Sequence, residues 1–217
     1  MKKFNFWSLL FIIPVALGAY IAAFETKFYD IEKAVFNALR TLAPAADIPA
    51  RAITELGSAV GVISITAILL IVTIIKKEYF FTFGLPVTIT TIVSRVINIT
   101  AKNLIDRARP DFKVLEASES SFPSGHSQNN MALYIAVLLV ALLIVTAPKW
   151  RTILKISLIA LPLIIGITRT YFGVHYVSDV LAGWGIGALV AVLCHYAYFG
   201  IYYAVKDKNN AKQTQTT

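Results

Sequence analysis

Charge is what this chain has least of. Only 15% of its 217 residues are Asp, Glu, Lys or Arg, 57% are hydrophobic, and the mean hydropathy is +0.69. An ordinary soluble domain carries about 25% charged residues, so that class is excluded and a membrane protein is implied. The single cysteine, Cys194, rules out an internal disulfide and sits in an apolar run. No stretch is long and polar enough for a separate soluble domain, and the one extended polar connection is 25–55. The sequence also lacks the carboxylate cluster that magnesium would need.

What it has instead is a series of apolar runs. A helix of about 20 apolar residues crosses the hydrocarbon layer, and spans are predicted at about 5–24, 56–75, 79–100, 125–147, 153–170 and 178–205. The predicted fold is all-α: a polytopic membrane protein with six transmembrane helices in one bundle over 1–205. A polar cytoplasmic tail, expected to be disordered, follows at 206–217. The first run has a cleaved signal peptide as its alternative reading. Within 25–55, Ile31, Val35, Leu39 and Leu42 recur at helical spacing opposite Asp30, Lys33, Asn37 and Arg40. That pattern predicts an amphipathic helix in the first outer loop, ended by Pro44 and Pro49. It would lie on the membrane surface or pack over the bundle with a solvated face.

The net charge of +8 would suggest nucleic acid for a soluble protein, but topology accounts for it here. With both termini cytoplasmic, the inner segments hold ten cations against two acids and the outer segments nine against ten, leaving Arg95 within a span. The positive-inside rule absorbs the whole surplus, and no nucleic-acid partner is implied. The polar stretch 102–127 and the connection 169–179 then face the extracytoplasmic side of a cell membrane.

Three elements there carry chemistry. Arg95, Asn98, Lys102, Asp106 and Arg109 follow at three- and four-residue steps and would form one polar stripe on a helix. Charge at membrane depth points into the bundle or a wet cavity, although Lys102 and Arg109 also fit snorkelling cations paired with Asp106 and Asp111. Phe122-Pro123-Ser124-Gly125-His126-Ser127 precedes a long apolar run, so it should open a helix whose free amides and dipole suit an anion. A simple Ser124 or Ser127 cap with an interfacial His126 is the alternative. In the third element His175 and Asp179 are four apart, so on a helix the carboxylate can hold one ring nitrogen and leave the other free. The same pair also reads as metal ligands or as a structural hydrogen bond. Three cations, a helix start and two histidines on one side of the membrane favour a phosphate site.

At these residues the chain resembles the type 2 phosphatidic acid phosphatase family. The resemblance rests on Lys102, six residues, Arg109-Pro110; Pro123-Ser124-Gly125-His126; and Arg169, five residues, His175, three residues, Asp179. It implies a lipid phosphatase that needs no metal and no cofactor. His175 would be the nucleophile, Asp179 its orienting partner and His126 the general acid. Lys102, Arg109, Arg169, Ser124 and Gly125 would hold the phosphoryl oxygens. Thr168 stands where the family usually has serine. The expected substrates are undecaprenyl diphosphate, phosphatidylglycerol phosphate or phosphatidic acid, met at the outer membrane-water interface. Transfer to a lipid acceptor, or anion transport through the same cations, are the competing readings. Arg95 and Asn98 lie outside the motifs. His195 reads as structural, and Gly183 and Gly187 as sites of close helix packing.

Overall fold

The computed structural model describes residues 13, 15–17, 19, 20, 23, 28–117 and 120–215, and among these every regular element is a helix. In chain order they are α1 (Tyr29–Leu42), α2 (Asp47–Leu56), α3 (Ala59–Ile75), α4 (Leu85–Ile105), α5 (Gly125–Ile144), α6 (Pro148–Tyr171) and α7 (Val177–Gln215). A 3-10 turn (Lys77–Tyr79) and a π turn (Phe80–Gly84) lead into α4. Most of the expected first span at 5–24 lies outside the described residues. Ala19 and Ala23, which are described, pack against Phe122 and Ala182.

Four helical stretches are long and apolar enough to cross a membrane: 77–105, 125–144, 148–171 and 177–210. The expected second span at 56–75 corresponds to α3, which α2 precedes at a bend of 50° across Gly57–Ser58; counted as one span, the pair makes a fifth. Ser58 causes the break by capping α3, where its hydroxyl accepts the Gly61 N–H at 3.0 Å. Residues 47–55, which composition assigned to the polar connection, form nearly all of α2.

Three boundaries differ from expectation. Pro49 does not end a helix but sits in the first turn of α2, where its missing N–H costs nothing. Pro148 likewise opens α6 five residues before the predicted span. The tail expected to be disordered continues α7 to Gln215. The amphipathic helix forms as α1, but its buried residues are Glu32 and Phe36, while Ile31, Val35 and Leu42 face outward.

α5 is the centre of the bundle. Its Leu133, Ala136 and Val140 form a core with Val62 of α3, Val87 of α4, and Ala191 and Phe199 of α7. Apolar burial drives helices together weakly in lipid, so close packing and polar contacts must do more. Polar contacts come from α4, where Gln128 donates to the Ser94 carbonyl, Asn98 to Gln128 Oε1 at 3.0 Å, and the Ser94 hydroxyl to Asn129. Close packing comes from α7. A Cβ added at Gly187 would sit 2.3 Å from the Gln128 carbonyl oxygen, and one at Gly183 would sit 2.8 Å from that of Ser124.

Connectivity then gathers one end of the bundle. The start of α3, the end of α4, the start of α5 and the connection between α6 and α7 all meet there.

Gly187→Ala should therefore destabilise the purified protein by about 1–3 kcal/mol through overpacking. Gly200→Ala, whose new methyl meets nothing within 4 Å, should leave thermal unfolding in detergent unchanged or slightly raised. Equal midpoints for the two variants would contradict the close α5–α7 contact.

Candidate active site

The gathered end encloses a cavity of about 200 Å³, lined by Gly57, Ser58, Arg95, Lys102, Arg109, Gly125, His126, Asn129, Arg169 and His175 among others. Of the residues singled out by spacing, Lys102, Arg109, Gly125, His126, Arg169 and His175 face this space. Asp179, Ser124 and Thr168 stand behind it.

Each comes from a different local cause. α4 stops at Ile105 because Asp106 turns left-handed at φ 45° and its N–H bonds the Lys102 carbonyl. The predicted single stripe is thus broken: Asn98 and Lys102 are buried, Arg95 is exposed, and Arg109 arrives on a non-helical segment. Lys102 Nζ donates to the Ser120 carbonyl. Arg109 Nη1 donates to the Val174 carbonyl at 2.7 Å.

Ser124 caps α5, accepting from the Ser127 N–H and hydroxyl, so its oxygen is engaged in the cap. Gly125 approaches Asn98, where a Cβ would meet Oδ1 at 3.0 Å, and Asn98 also donates to the Pro123 carbonyl. This pair places the start of α5 against Lys102. His126 lies beside Gly57, with its Cδ2 3.2 Å from where a Cβ would be, and its carbonyl accepts from Asn130.

The Thr168 hydroxyl donates back to the Ile165 carbonyl at 2.6 Å within α6. One residue on, Arg169 donates to the Thr54 hydroxyl of α2 at 2.7 Å, while its Nε is buried with no hydrogen-bond partner among the described residues. A buried charged donor left unsatisfied is costly.

The tight turn after α6 depends on Gly173, whose φ of +62° disfavours any side chain and where an added Cβ would sit 2.9 Å from the Phe112 carbonyl oxygen. It presents His175, 3% exposed, to the cavity. His175 Nδ1 lies 3.5 Å from Asp179 Oδ2, and Nε2 lies 3.2 Å from Arg109 Nη1. A guanidinium only donates, so Nε2 accepts and the ring is read as the neutral Nδ1–H tautomer. Burial pushes this imidazole down to about 4, with the hydrogen bond and charge of Asp179 opposing.

Asp179 is fully buried and heavily engaged. It accepts from the Ser121 hydroxyl, from the Tyr176 N–H at 2.9 Å and from Arg107 Nη1 at 2.5 Å. Arg107 also donates to the Ser178 hydroxyl at 2.8 Å and to Glu32 at 3.2 Å, and stacks 3.9 Å above the Tyr176 ring. Glu32, in turn, accepts from the Ser178 N–H at 3.0 Å and from its hydroxyl.

Motif spacing missed Arg107, Glu32 and Ser121. One signal was available for Glu32: it shares a helix face with Phe36, four residues on, so an acid stands in line with a buried aromatic. Among the described residues, no three His, Cys, Asp or Glu side chains gather as metal ligands would.

The geometry can be set beside known proteins. Over 113 residues the chain is 39% identical to a phosphatidylglycerophosphatase B of Bacillus subtilis, covering 51% of this chain and 55% of that one. It is 28% identical over 212 residues to an undecaprenyl-diphosphatase of Sulfolobus acidocaldarius, covering 89% and 91%. The chain thus spans little more than half of the first relative and nearly all of the second. The fold is similar to a crystal structure of a transmembrane PAP2-type phosphatidylglycerolphosphate phosphatase from Bacillus subtilis, with TM-score 0.74, 28% identity, and coverage of 87% and 92%. Residues 77–203 match the PAP2 superfamily. That match takes in more than half of the chain and every residue of the three motifs, so this membrane protein belongs to the PAP2 superfamily.

Proposed function

We propose that the chain is a membrane lipid phosphatase acting on a lipid phosphate monoester or diphosphate through a phosphohistidine at His175. The observation that carries this is the orientation of one ring. Nδ1 of His175 faces Asp179, and Nε2 faces Arg109 within a cavity that Lys102 and Arg169 also line. The names of the similar proteins, which concern lipid phosphates, support the substrate class. Undecaprenyl diphosphate, phosphatidylglycerol phosphate and phosphatidic acid are the substrates to test.

In the first step Nε2 attacks phosphorus, a nitrogen–phosphorus bond forms and the bond to the leaving oxygen breaks. His126 gives that oxygen its proton. Asp179 holds the Nδ1 proton and stabilises the ring as it becomes cationic. Lys102, Arg109, Arg169 and the Gly125 amide meet the charge that shifts onto the phosphoryl oxygens. In the second step water, losing a proton to His126, attacks phosphorus and frees Nε2. Arg109 must turn from Nε2 toward the phosphate for the first step to begin.

Ser124 and Thr168 act at one remove, the first by capping α5 and the second within α6. No step calls on a metal. Placement at the outer membrane-water interface rests on the distribution of charge between the inner and the outer connecting segments.

His175→Ala should abolish phosphate release from all three lipids while the protein still accumulates in membranes, and the wild type should keep its rate in excess chelator. Turnover by His175→Ala would refute the nucleophile.

Protonation removes the attacking lone pair, so activity is present above the His175 value and lost as pH falls through it. After correction for the substrate's own ionisation, the acid limb of kcat/KM should therefore lie near 4. A limb centred at about 6.5, the value of a free imidazole, would contradict the buried, neutral ring.

Arg107→Lys keeps the charge but loses the fork that joins Asp179 to Glu32. Losing one charged hydrogen bond costs about 1.5–3 kcal/mol, so kcat should fall roughly ten- to hundredfold with KM little changed. An unaltered kcat would show that the clamp does not position His175.

A further inference from the structure

The catalytic cavity does not end at Lys102. A groove of about 330 Å³ runs on from it between α3 and α4, and the two spaces share Ile63, Thr91 and Arg95. The groove is otherwise lined by Thr66 and Leu70 of α3 and by Thr88, Ile92 and Val96 of α4, with few others. Its threonines are apolar in effect. The hydroxyls of Thr66, Thr88 and Thr91 donate to the Val62, Gly84 and Val87 carbonyls of the preceding turns, which turns their methyl groups to the space. Arg95 is thus the one charged side chain in this lining, standing where the polar cavity becomes an apolar groove.

Its depth matters. Arg95 is seven residues before Lys102, two helical turns or about 10 Å along α4, toward the middle of the 77–105 span. It is exposed on the helix surface, and no hydrogen bond or ion pair to it is found among the described residues. An arginine at membrane depth without a counter-charge is expensive, and such residues commonly mark a substrate path. The catalytic reading places the scissile phosphate among Lys102, Arg109 and Arg169, so a lipid chain in the groove would carry whatever follows that phosphate past Arg95.

We propose that Arg95 binds a second phosphate, the one standing between the scissile phosphate and the hydrocarbon chain. This inference rests on the phosphatase reading above and narrows its substrate class. The preferred lipids are those with two phosphates in series, either a diphosphate or a phosphomonoester joined to its chains through a phosphodiester. A lipid with a single phosphate, such as phosphatidic acid, leaves Arg95 unanswered. The guanidinium fork suits two oxygens of one phosphate, and the same charge would stabilise a departing phosphate when the proximal group leaves.

The test compares a prenyl diphosphate with the monophosphate of the same chain, using purified protein in detergent. The expected result is a wild-type kcat/KM that favours the diphosphate, with that ratio falling by about tenfold or more in Arg95→Gln, as loss of a charged hydrogen bond requires. Arg95→Met serves as a second variant and should lower the ratio likewise, whatever either substitution does to yield. A ratio unchanged or raised in both variants, because the two substrates lose equally or the monophosphate loses more, overturns the subsite and leaves the phosphatase reading intact. Release of phosphate from neither lipid by the wild type would instead sink the phosphatase reading.

Discussion

One buried carboxylate holds the site together. Asp179 has no exposed surface, and a lone charge so placed would be untenable without partners of opposite charge and enough donors. It finds them on two stretches of chain: Arg107 and Ser121 from the connection after α4, and the Tyr176 N–H and the His175 ring from the turn that precedes it. Its backbone carbonyl also accepts the Ser124 N–H, which ties the start of α7 to the start of α5. Arg107 then spends its second nitrogen on Glu32 and thereby anchors α1. The orientation of His175 is thus a property of the whole end of the bundle.

The cations divide into two groups with different duties. Arg107 faces the two buried carboxylates, Asp179 and Glu32, and is consumed by structure. Lys102, Arg109 and Arg169 line the cavity and donate to neutral oxygens of Ser120, Val174 and Thr54.

Much of this could be read from the sequence, for reasons that can be stated. Runs of apolar residues gave the long helices, because spanning length follows from bilayer thickness and from little else. The Ser124 cap was readable as an alternative because capping depends on one residue and its next three. Long-range pairing was not readable. Glu32 and Arg107 are 75 residues apart, and neither carries a local mark that names the other. The end of α4 was missed because Asp106 and Arg109 continue the helical spacing that began at Arg95, while the backbone turns left-handed at Asp106. The polar end of α7 was expected to be disordered because composition speaks for solubility, not for whether a helix already begun at Val177 will propagate. Periodicity put Ile31, Val35, Leu39 and Leu42 of α1 on one face, but what the helix buries is an acid and an aromatic, Glu32 and Phe36.

The glycines of α7 have a consequence for how the molecule can move. Gly183 and Gly187 bring α7 against the backbone of α5 so closely that even a methyl group would collide, and Asn98, Ser94 and Gln128 lash α5 to α4. His126 and the turn that carries His175 are therefore mounted on a closely packed rear frame. α2 and α3, bent at Gly57–Ser58 with Arg169 bonded to Thr54, form the opposite side of the cavity. The two sides of the cavity thus differ in kind: one is locked by backbone-to-backbone packing, the other is a bent pair of helices joined to α6 through a single arginine–threonine hydrogen bond.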